Sequence, residues 1–582
     1  MVADLLSASF RWWSLPFVLT TLINLSSGAA GAIEERTDAV VEGLLFVAVA
    51  TAWWRPTRLR MISAHILSCA IKMSEMPRVW DGTWWFVMLS VPPIVVLLRS
   101  SVETAQERDA AFFELSNAYR VMCHVLYAGA SLLKINRDFL DVEYSCAPIL
   151  AAQLVTRLPE EWGLDDWGQS VWLTRLFPLL TVLVELGVPV LTVMIGPAAG
   201  VALGLGLHFG IAITPGPNNA GSFSVTAALW YLGFLPVGIG TAVNELLGRW
   251  DAPGAKVPAW GVVTLGLAAA AYASGLTTCD ASGFAYVVQM GVCARAVAIE
   301  RKASPHDDAQ ATKPTRTGAA RIGVAVALYY AFGTAVLGTW DMGIDHPYSN
   351  LRMHSGPSNH YFLPLGILHK VPPFAEMWPP RLPWAGGPVL VEAATSAYFL
   401  TQGGIPGDVS ADLTPRAAAL LRRSGHRGLQ FFSVAKRFST TTVANSPWSS
   451  DERLDPRAFI PFTIPAFELR RLLSEGALGS HGSLTYSRGG GLLPGKRTTI
   501  HVTTGADGAV ASCTITHEPE AGTPGGVLSF LPWLKKPCAA DELALLPPIP
   551  EWLLRVLPIY NAYPLLDGDI GERPTQSLIC YG

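Results

Sequence analysis

Long apolar stretches separated by short polar connections dominate the chain up to about residue 340. About 20 mainly apolar residues are needed to cross the roughly 30 Å hydrocarbon core of a bilayer. Eight windows meet this requirement clearly: 38–54, 83–98, 112–134, 171–195, 196–214, 223–245, 257–276 and 319–340. Three weaker windows, interrupted by Ser, Gly or a charge, are 13–33, 61–76 and 282–299. Because none shows the alternation of barrel strands, the pattern predicts an all-α bundle of about 8 to 11 membrane-spanning helices.

After about residue 343 the pattern changes. Prolines cluster, apolar runs shorten, and SLTYSR, TTIHVTT and AVASCTITHE alternate as strands do. AFELRRLLSEG, residues 466–476, has the spacing of an amphipathic helix that ends at Gly476. The sequence therefore predicts a multi-pass membrane domain over 1–342, a connecting segment over 343–380 and a soluble α+β domain over 381–582.

The composition fits an integral, multi-pass membrane protein, with lipid as its surroundings. Half of the residues are hydrophobic and only 15% are charged, whereas a soluble globular chain has about 25% charged residues. The net charge of −3 gives no sign of a nucleic-acid partner. Two basic connections, residues 55–60 and 300–321, compete for the cytoplasmic side, so the orientation and the organelle stay open.

The eight cysteines contain no CxxC pair and show no regular spacing. They imply neither a zinc module nor a disulfide scaffold, and the redox compartment stays open.

Two motifs of the tail are weaker than they look. GGLLPGKR, residues 490–497, nearly spells a phosphate-binding loop, but Arg497 stands where a hydroxyl must reach magnesium and both flanks read as strands. A glycine-rich hairpin turn is the better interpretation. Four histidines follow one another without helical ligand spacing or a thiol partner, so we predict no metal site there and expect a structured membrane-surface segment: His346, His354, His360 and His369.

Polar side chains inside the apolar windows carry more information, because a charge at bilayer depth costs several kcal/mol and is kept for a function or a specific partner. The residues are His65, His124, Lys134, Glu185 and His208. For each histidine alone, a buried side chain paired to a neighbour is the simpler interpretation. Lys134 differs, because Tyr119, His124, Tyr127 and Gly129 already break the lipid-facing pattern of its window, which predicts a helix facing the bundle interior.

The stretch AGASLLKINRDFLD, residues 128–141, resembles the signature helix of the vitamin K-dependent gamma-carboxylase family, also called the HTTM (horizontally transferred transmembrane) domain. The order of the following motifs is similar: Glu185 before Pro189, the histidine helix GLGLHFGIAI, and the closing segment TWDMGIDHPYSNLRMHSGPSNHYFLP. The likeness covers roughly residues 10 to 370. The tail matches no catalytic motif.

The resemblance implies an enzyme in which Lys134 is the base that takes a proton from a reduced quinone of the vitamin K type. Oxidation of the quinol to its epoxide by O2 would then drive proton abstraction from a substrate and addition of CO2. His208 corresponds to a quinol-contacting histidine. His65 corresponds to a second one, although the Asn that usually accompanies it is absent. A lysine suits the role because desolvation disfavours its ammonium form.

The chain is shorter than the animal carboxylases, and its tail does not resemble their peptide-recognition region, so the protein or peptide substrate stays open. The alternative is a non-catalytic membrane transporter or scaffold with a partner-binding tail, in which Lys134 forms a structural ion pair with Glu185 or Asp138. Arg137, Asp138 and Asp141 are interpreted as interfacial residues that end the span.

Overall fold

A computed structural model describes the following residues of the chain: 4–26, 39–74, 81–141, 145–162, 171–214, 221–247, 259–273, 280–302, 318–333, 360–362, 388–396, 414–424, 462–465, 469, 472–473, 476–489, 496–519, 536–537 and 563–564.

The described part of the chain is mostly helical. The helices are α1 (Leu5–Ser26), α2 (Ala39–Trp54), α3 (Arg58–Ser74), α4 (Asp81–Arg99), α5 (Ala105–Leu133), α6 (Ala147–Val155), α7 (Val171–Met194), α8 (Pro197–Ile213), α9 (Gly221–Trp230), α10 (Pro236–Leu247), α11 (Ala259–Ala273), α12 (Asp280–Glu300), α13 (Gly318–Leu328) and α14 (Pro415–Arg423). Each of the eleven apolar windows overlaps at least one of them, so the prediction that these windows are helical is confirmed. The short helices α6 and α14 were not predicted.

Few of these helices are individually long and apolar enough to cross a bilayer. Among the described residues, Leu176–Met194 of α7 and Gly283–Glu300 of α12 meet that standard. A third span is possible if Phe223–Gly233 and Pro236–Leu247, which meet at a bend of 115°, count as one. The described helices are thus consistent with a membrane protein, and the larger number of spans expected from the sequence is not confirmed.

The core of the helical part forms around α5, whose N-terminus is fixed by a capping box between Thr104 and Glu107. Large aromatic side chains fill this core with almost no exposure, among them Trp12, Tyr119 and Trp230. The bend between α9 and α10 also lies here. At this bend Gly233 approaches the backbone of Arg120 so closely that a Cβ atom would overlap it.

A seven-stranded antiparallel sheet lies near the C-terminus of the described chain, in the order β6-β5-β4-β3-β1-β2-β7. Its strands are β1 (Pro388–Ala394), β2 (Phe462–Pro465), β3 (Ser483–Gly489), β4 (Lys496–Thr504), β5 (Val510–Pro519), β6 (Lys536–Pro537) and β7 (Tyr563–Pro564). The three predicted strands are β3, β4 and β5.

Alternation puts one face of this sheet into a separate core, with Leu484, Val502 and Ile515 almost fully buried. The pairing of β3 with β4 agrees with the hairpin expected at 490–497, although residues 490–495 lie outside the described part. Gly476 has a φ of +75°, the left-handed conformation that favours glycine. Most of the helix predicted over 466–476 lies outside the described residues.

Helix α14 packs against α6. Thr414 caps its N-terminus and donates a hydrogen bond to Gln153 Oε1 (3.2 Å), while Arg416 donates to Leu158 O (2.8 Å). Part of the predicted tail domain therefore forms one core with the helical part.

Candidate functional site

The residues after α5 form a tight turn that fixes Lys134. Lys134 is the C-cap of the helix. The Asn136 side chain donates to Leu133 O (3.0 Å), and its oxygen accepts from the backbone N–H groups of Asp138 (3.1 Å) and Phe139 (2.8 Å). Asn136 and Asp138 are both buried, and the interpretation of Asp138 as a residue at the membrane interface stays a prediction. The turn folds into the protein instead of ending in a water-exposed loop.

Lys134 forms an ion pair with Glu185 of α7. Its Nζ lies 2.9 Å from Glu185 Oε1 and 3.0 Å from Oε2. The two side chains are 5% and 13% exposed, so the pair is largely shielded from water. One turn earlier, Ser131 donates to Val182 O (3.0 Å) and joins the same two helices. The structure thus contains the pairing that the non-catalytic alternative expected.

The same two side chains line a cavity of about 150 Å³. Its walls come from α4 to α9 and the turn after α5, and they are mostly apolar. The lining includes Trp85, Leu126, Tyr127, Ala130, Lys134, Phe139, Ala147, Leu150, Ala151, Leu154, Phe177, Thr181, Glu185, Leu207, His208, Gly210, Ile211, Thr214 and Phe223. A cavity of this volume is large enough to hold an aromatic ring. It contains three of the residues predicted from sequence: Lys134, Glu185 and His208.

His208 belongs to a chain of buried polar groups beside the cavity. Its Nε2 lies 2.7 Å from Tyr127 Oη, which lies 3.0 Å from Tyr231 Oη. Gly204 makes room for this arrangement, because a Cβ atom there would overlap the Tyr231 hydroxyl. The other ring nitrogen, Nδ1, is buried and makes no hydrogen bond to any described residue. An unpaired polar atom of this kind is costly, so His208 keeps a free hydrogen-bonding position at a wall of the cavity.

The structure does not bring the other two predicted histidines to this cavity. His65 is buried against Trp13, with ring centroids 4.0 Å apart. It lines a separate cavity of about 10 Å³, room for about one water molecule. His124 is partly buried and packs edge-on against Phe234. The role predicted for His65 would require a different arrangement of these residues.

A segment of the predicted connecting region docks onto the Lys134 turn. His360 Nε2 lies 2.8 Å from Leu132 O and donates to it, so Nδ1 is free to accept from the Phe362 N–H (3.0 Å). Tyr361 N–H donates to Ile135 O (3.3 Å). Burial lowers the pKa of His360, and the Leu132 carbonyl offsets part of that effect. His346, His354 and His369 lie outside the described residues. Among the residues that the structure describes, no group of side chains is suited to hold a metal ion.

Sequence reasoning missed several parts of the site. Tyr127 had been noted for interrupting an apolar face, but Tyr231 gave no signal beyond its place in an apolar window. Helix α14 could have been found from TPRAAALLRR, which has a capping Thr followed by Pro at the first helical position.

The sequence left the disulfide status of the cysteines open. Cys146, at the start of α6, and Cys513, on β5, are disulfide-bonded. Cys69, Cys123 and Cys293 are free thiols.

The fold and the site define a mostly helical protein with an apolar cavity and a small antiparallel sheet. Comparison with protein families matches residues 358–555 to a domain of unknown function, DUF8388. No curated protein and no solved structure matches the chain. The matched region begins beside His360 and includes α14, so it contains both described contacts of the tail with the surroundings of the cavity.

Proposed function

We propose that the chain is an integral, multi-pass membrane enzyme of the vitamin K-dependent gamma-carboxylase or HTTM type, which couples oxidation of a reduced quinone by O2 to proton abstraction from a substrate and its carboxylation by CO2. The expectation of about 8 to 11 spans belongs to this proposal. Its acceptor is a protein or peptide that the residues do not identify.

One observation carries the proposal: Lys134 and His208 line the same mostly apolar cavity. A transporter would instead need a polar path through the helices. The residues fit a quinol ring in three respects, since aromatic and aliphatic walls suit its body, the free Nδ1 of His208 suits one of its oxygens, and the amine of Lys134 suits its acidic hydroxyl. When bound, a reduced quinone would supply the electrons that reduce O2.

Each polar residue then has a distinct role. Lys134 accepts a proton, and Glu185 holds the amine between its two oxygens. For the amine to accept a proton from the quinol, one of its own protons must first pass to Glu185, with which it is in direct hydrogen-bond contact. Tyr127 fixes the ring of His208 through Nε2 and leaves Nδ1 for the ligand. The apolar walls keep water away from strongly basic groups.

The ion pair favours a second candidate function, a non-catalytic transporter or scaffold. In that case Lys134 and Glu185 serve only to join α5 to α7, and the cavity has no chemical role. The two functions differ in what happens when the amine is removed without loss of the fold.

The test uses the purified full chain in lipid nanodiscs with a reduced naphthoquinone, O2 and labelled CO2. We expect quinone epoxide from the wild type and a loss of at least about 100-fold in Lys134→Ala, the usual range for a general base. His208→Ala should weaken quinol binding more than turnover at saturation. Lys302→Met, at an exposed lysine away from the cavity, is the matched control and should keep full activity.

Equal epoxide formation by the wild type and Lys134→Ala would exclude Lys134 as the base. Absence of epoxide from a folded wild-type protein would exclude the quinol reaction itself and leave the transporter or scaffold.

A further inference from the structure

The longest described helix, α5, carries an arginine halfway along its length. Arg120 lies about 20 Å from either end of the helix at a rise of 1.5 Å per residue, and it falls inside the apolar window 112–134. With α5 across a bilayer, as proposed above, Arg120 lies near the middle of the hydrocarbon core. A charge is costly at that depth and is kept for a function or a specific partner.

The guanidinium group of Arg120 has little inside the chain to compensate its charge. Its Nη2 donates to Asn117 Oδ1, and it makes no ion pair with any residue that the structure describes. Lys134, Arg108 and Arg295, by contrast, each pair with a carboxylate. The Nδ2 amide of Asn117 is buried and also makes no hydrogen bond to a described residue. This part of α5 therefore presents hydrogen-bond donors that lack acceptors.

Arg120 belongs to a continuous strip of half-buried side chains along one side of α5. The strip, which we call the Arg120 face, consists of Arg120, Val121, His124, Val125 and Ala128. Residues with this spacing lie on one face of a helix. The face therefore combines a cation and an imidazole with small apolar side chains.

The Arg120 face lies between two other elements of the helical part. On one side, the bend between α9 and α10 approaches the helix, with Gly233 against the backbone of Arg120. On the other side, Gly323 of α13 lies against Met122. The half-buried strip between these contacts leaves α5 accessible at mid-length.

The missing partner is an anion that can reach the middle of the bilayer. The phosphate groups of lipids stay roughly 15 Å from the centre of the hydrocarbon core. A membrane-spanning helix, however, presents an Asp or Glu at whatever depth its sequence sets, and charged side chains inside membranes commonly pair with one another. A carboxylate carried by a helix therefore fits the face better than a lipid headgroup does.

A second copy of α5 does not supply this carboxylate. In a symmetric dimer with its two-fold axis along the membrane normal, residues at equal depth meet, so Arg120 would face Arg120. The carboxylate of α5 nearest along the helix, Glu114, is about 9 Å away and accepts the Ala319 N–H (3.4 Å). The partner is therefore a different protein.

We propose that the Arg120 face binds a membrane-spanning helix of another protein, which carries an Asp or Glu near the middle of its span. Arg120 pairs with that carboxylate, and the small side chains of Val121, Val125 and Ala128 let the two helices approach closely. This inference rests on the membrane placement proposed above and not on the quinol chemistry.

The test uses the full chain in lipid vesicles, with the photo-crosslinker p-benzoylphenylalanine in place of Val125. The probe is a fluorescent single-span peptide of Leu and Ala with one Glu at its centre, and a second peptide with Gln at that position is its control. Arg120→Gln removes the charge of the face. Arg301→Gln, at an exposed arginine outside the face, is the matched control variant.

We expect the chain with Arg120 intact to crosslink to the Glu peptide about tenfold more than to the Gln peptide. A tenfold ratio corresponds to about 1.4 kcal/mol, within the range for polar contacts between membrane helices. Arg301→Gln should keep this preference, and Arg120→Gln should lose it. The comparison of the two peptides on the chain with Arg120 intact does not depend on the folding of either variant.

Equal crosslinking of the two peptides, an adduct between two copies of the chain, or adducts with lipid alone overturns the partner helix. Flotation of the chain with the vesicles separates this failure from that of the membrane placement. A chain that does not float removes the membrane placement as well, whereas a floating chain without a preference for the Glu peptide removes the partner helix alone.

Discussion

The amine of Lys134 has two kinds of neighbour, a carboxylate and the apolar lining of a cavity. A buried charge without a partner is very unfavourable, and Glu185 supplies that partner at 2.9 Å. The ion pair and the proposed base are therefore compatible at the level of single residues. The ion pair makes burial of the lysine possible, and the cavity leaves room for a ligand beside the buried amine.

Removal of one member of this pair should destabilise the protein more than removal of both. Lys134→Met leaves Glu185 buried without its cation, and we expect the free energy of unfolding to fall by about 3 kcal/mol, near the range for a broken buried pair. Lys134→Met combined with Glu185→Leu should recover most of that loss. Thermal unfolding in detergent measures both variants and the wild type.

The double variant also separates stability from chemistry. If it unfolds like the wild type but forms no quinone epoxide, the Lys134–Glu185 pair has a role beyond joining two helices. If Lys134→Met unfolds like the wild type, the ion pair contributes little to the stability of the protein.

Tyr127 links His208 to Tyr231, so its hydroxyl decides which nitrogen of His208 stays free. Tyr127→Phe removes the partner of His208 Nε2 and of the Tyr231 hydroxyl. We expect a loss of about 1–3 kcal/mol in unfolding free energy, because buried polar groups are left unpaired. Weaker binding of a quinone to the cavity should accompany it.

Tyr361→Phe is the control for that substitution, because Tyr361 is 58% exposed. Tyr361→Phe should change neither the free energy of unfolding nor the affinity for a quinone. Both are measured in the same way as for Tyr127→Phe. Unchanged binding in Tyr127→Phe would mean that the ring of His208 is held by its packing against Phe223 and not by the hydrogen bond.

At the scale of elements, the C-terminal end of α5 has a partner from a distant part of the chain. Leu132 and Ile135 offer their carbonyl groups to residues 360 and 361. Leu132 O already accepts the Ile135 N–H (3.0 Å), and the His360 ring adds a second donor to the same carbonyl beside the proposed base. Residues 360 and 361 belong to the region matched to DUF8388, so that region is part of the structure around the site.

This docking should weaken as the pH falls. Burial holds the pKa of His360 below its ordinary value of 6.5, so the undocked segment binds a proton more readily than the docked one. The contribution of His360 is fully present above about pH 6.5 and is lost as the pH falls through that value towards the lowered pKa. Protonation of Nδ1 would also remove the acceptor of the Phe362 N–H.

Hydrogen exchange of the peptide containing residues 358–362 measures this effect. Corrected for intrinsic rates, protection should be lower at pH 5.5 than at pH 7.5. His360→Asn, which does not titrate, should flatten the difference. Equal protection of the wild type at both values would show that His360 does not control the docking.

The elements that the sequence predicted are those with a local signal. Apolar windows located the helices, and alternation located β3, β4 and β5, because each pattern lies within one short segment. Lys134 was found because a charge ends an apolar run. The contact of Lys134 with Glu185 spans 51 residues and that of Tyr127 with Tyr231 spans 104. The sequence named Glu185 only as one of two possible partners of Lys134, and no local pattern encodes the partner of Tyr127, so the cavity and the docking of α14 required the structure.

At the scale of the whole molecule, α7 decides whether the helical part lies in lipid. Along one side of this helix, Leu176, Leu179, Leu183 and Val190 are each at least 44% exposed. Such a row of large apolar side chains would be unusual on a water-exposed surface. Against lipid the same row is favourable, since Leu and Val prefer hydrocarbon to water.

Leu183→Asp tests this directly, because the expected result depends on the surroundings of the helix. Near the middle of a span an aspartate costs about 2.5–3.5 kcal/mol, and we expect a severalfold loss of carbonate-resistant protein in the membrane fraction. On a water-exposed surface the same substitution would change the free energy of unfolding by no more than about 0.5 kcal/mol. Leu59→Asp is the matched control, because Leu59 is 73% exposed and lies in the first turn of α3 beside the basic connection, where an aspartate is tolerated. If Leu183→Asp accumulates in membranes as well as Leu59→Asp does, α7 does not face lipid, and the membrane placement would have to rest on other helices.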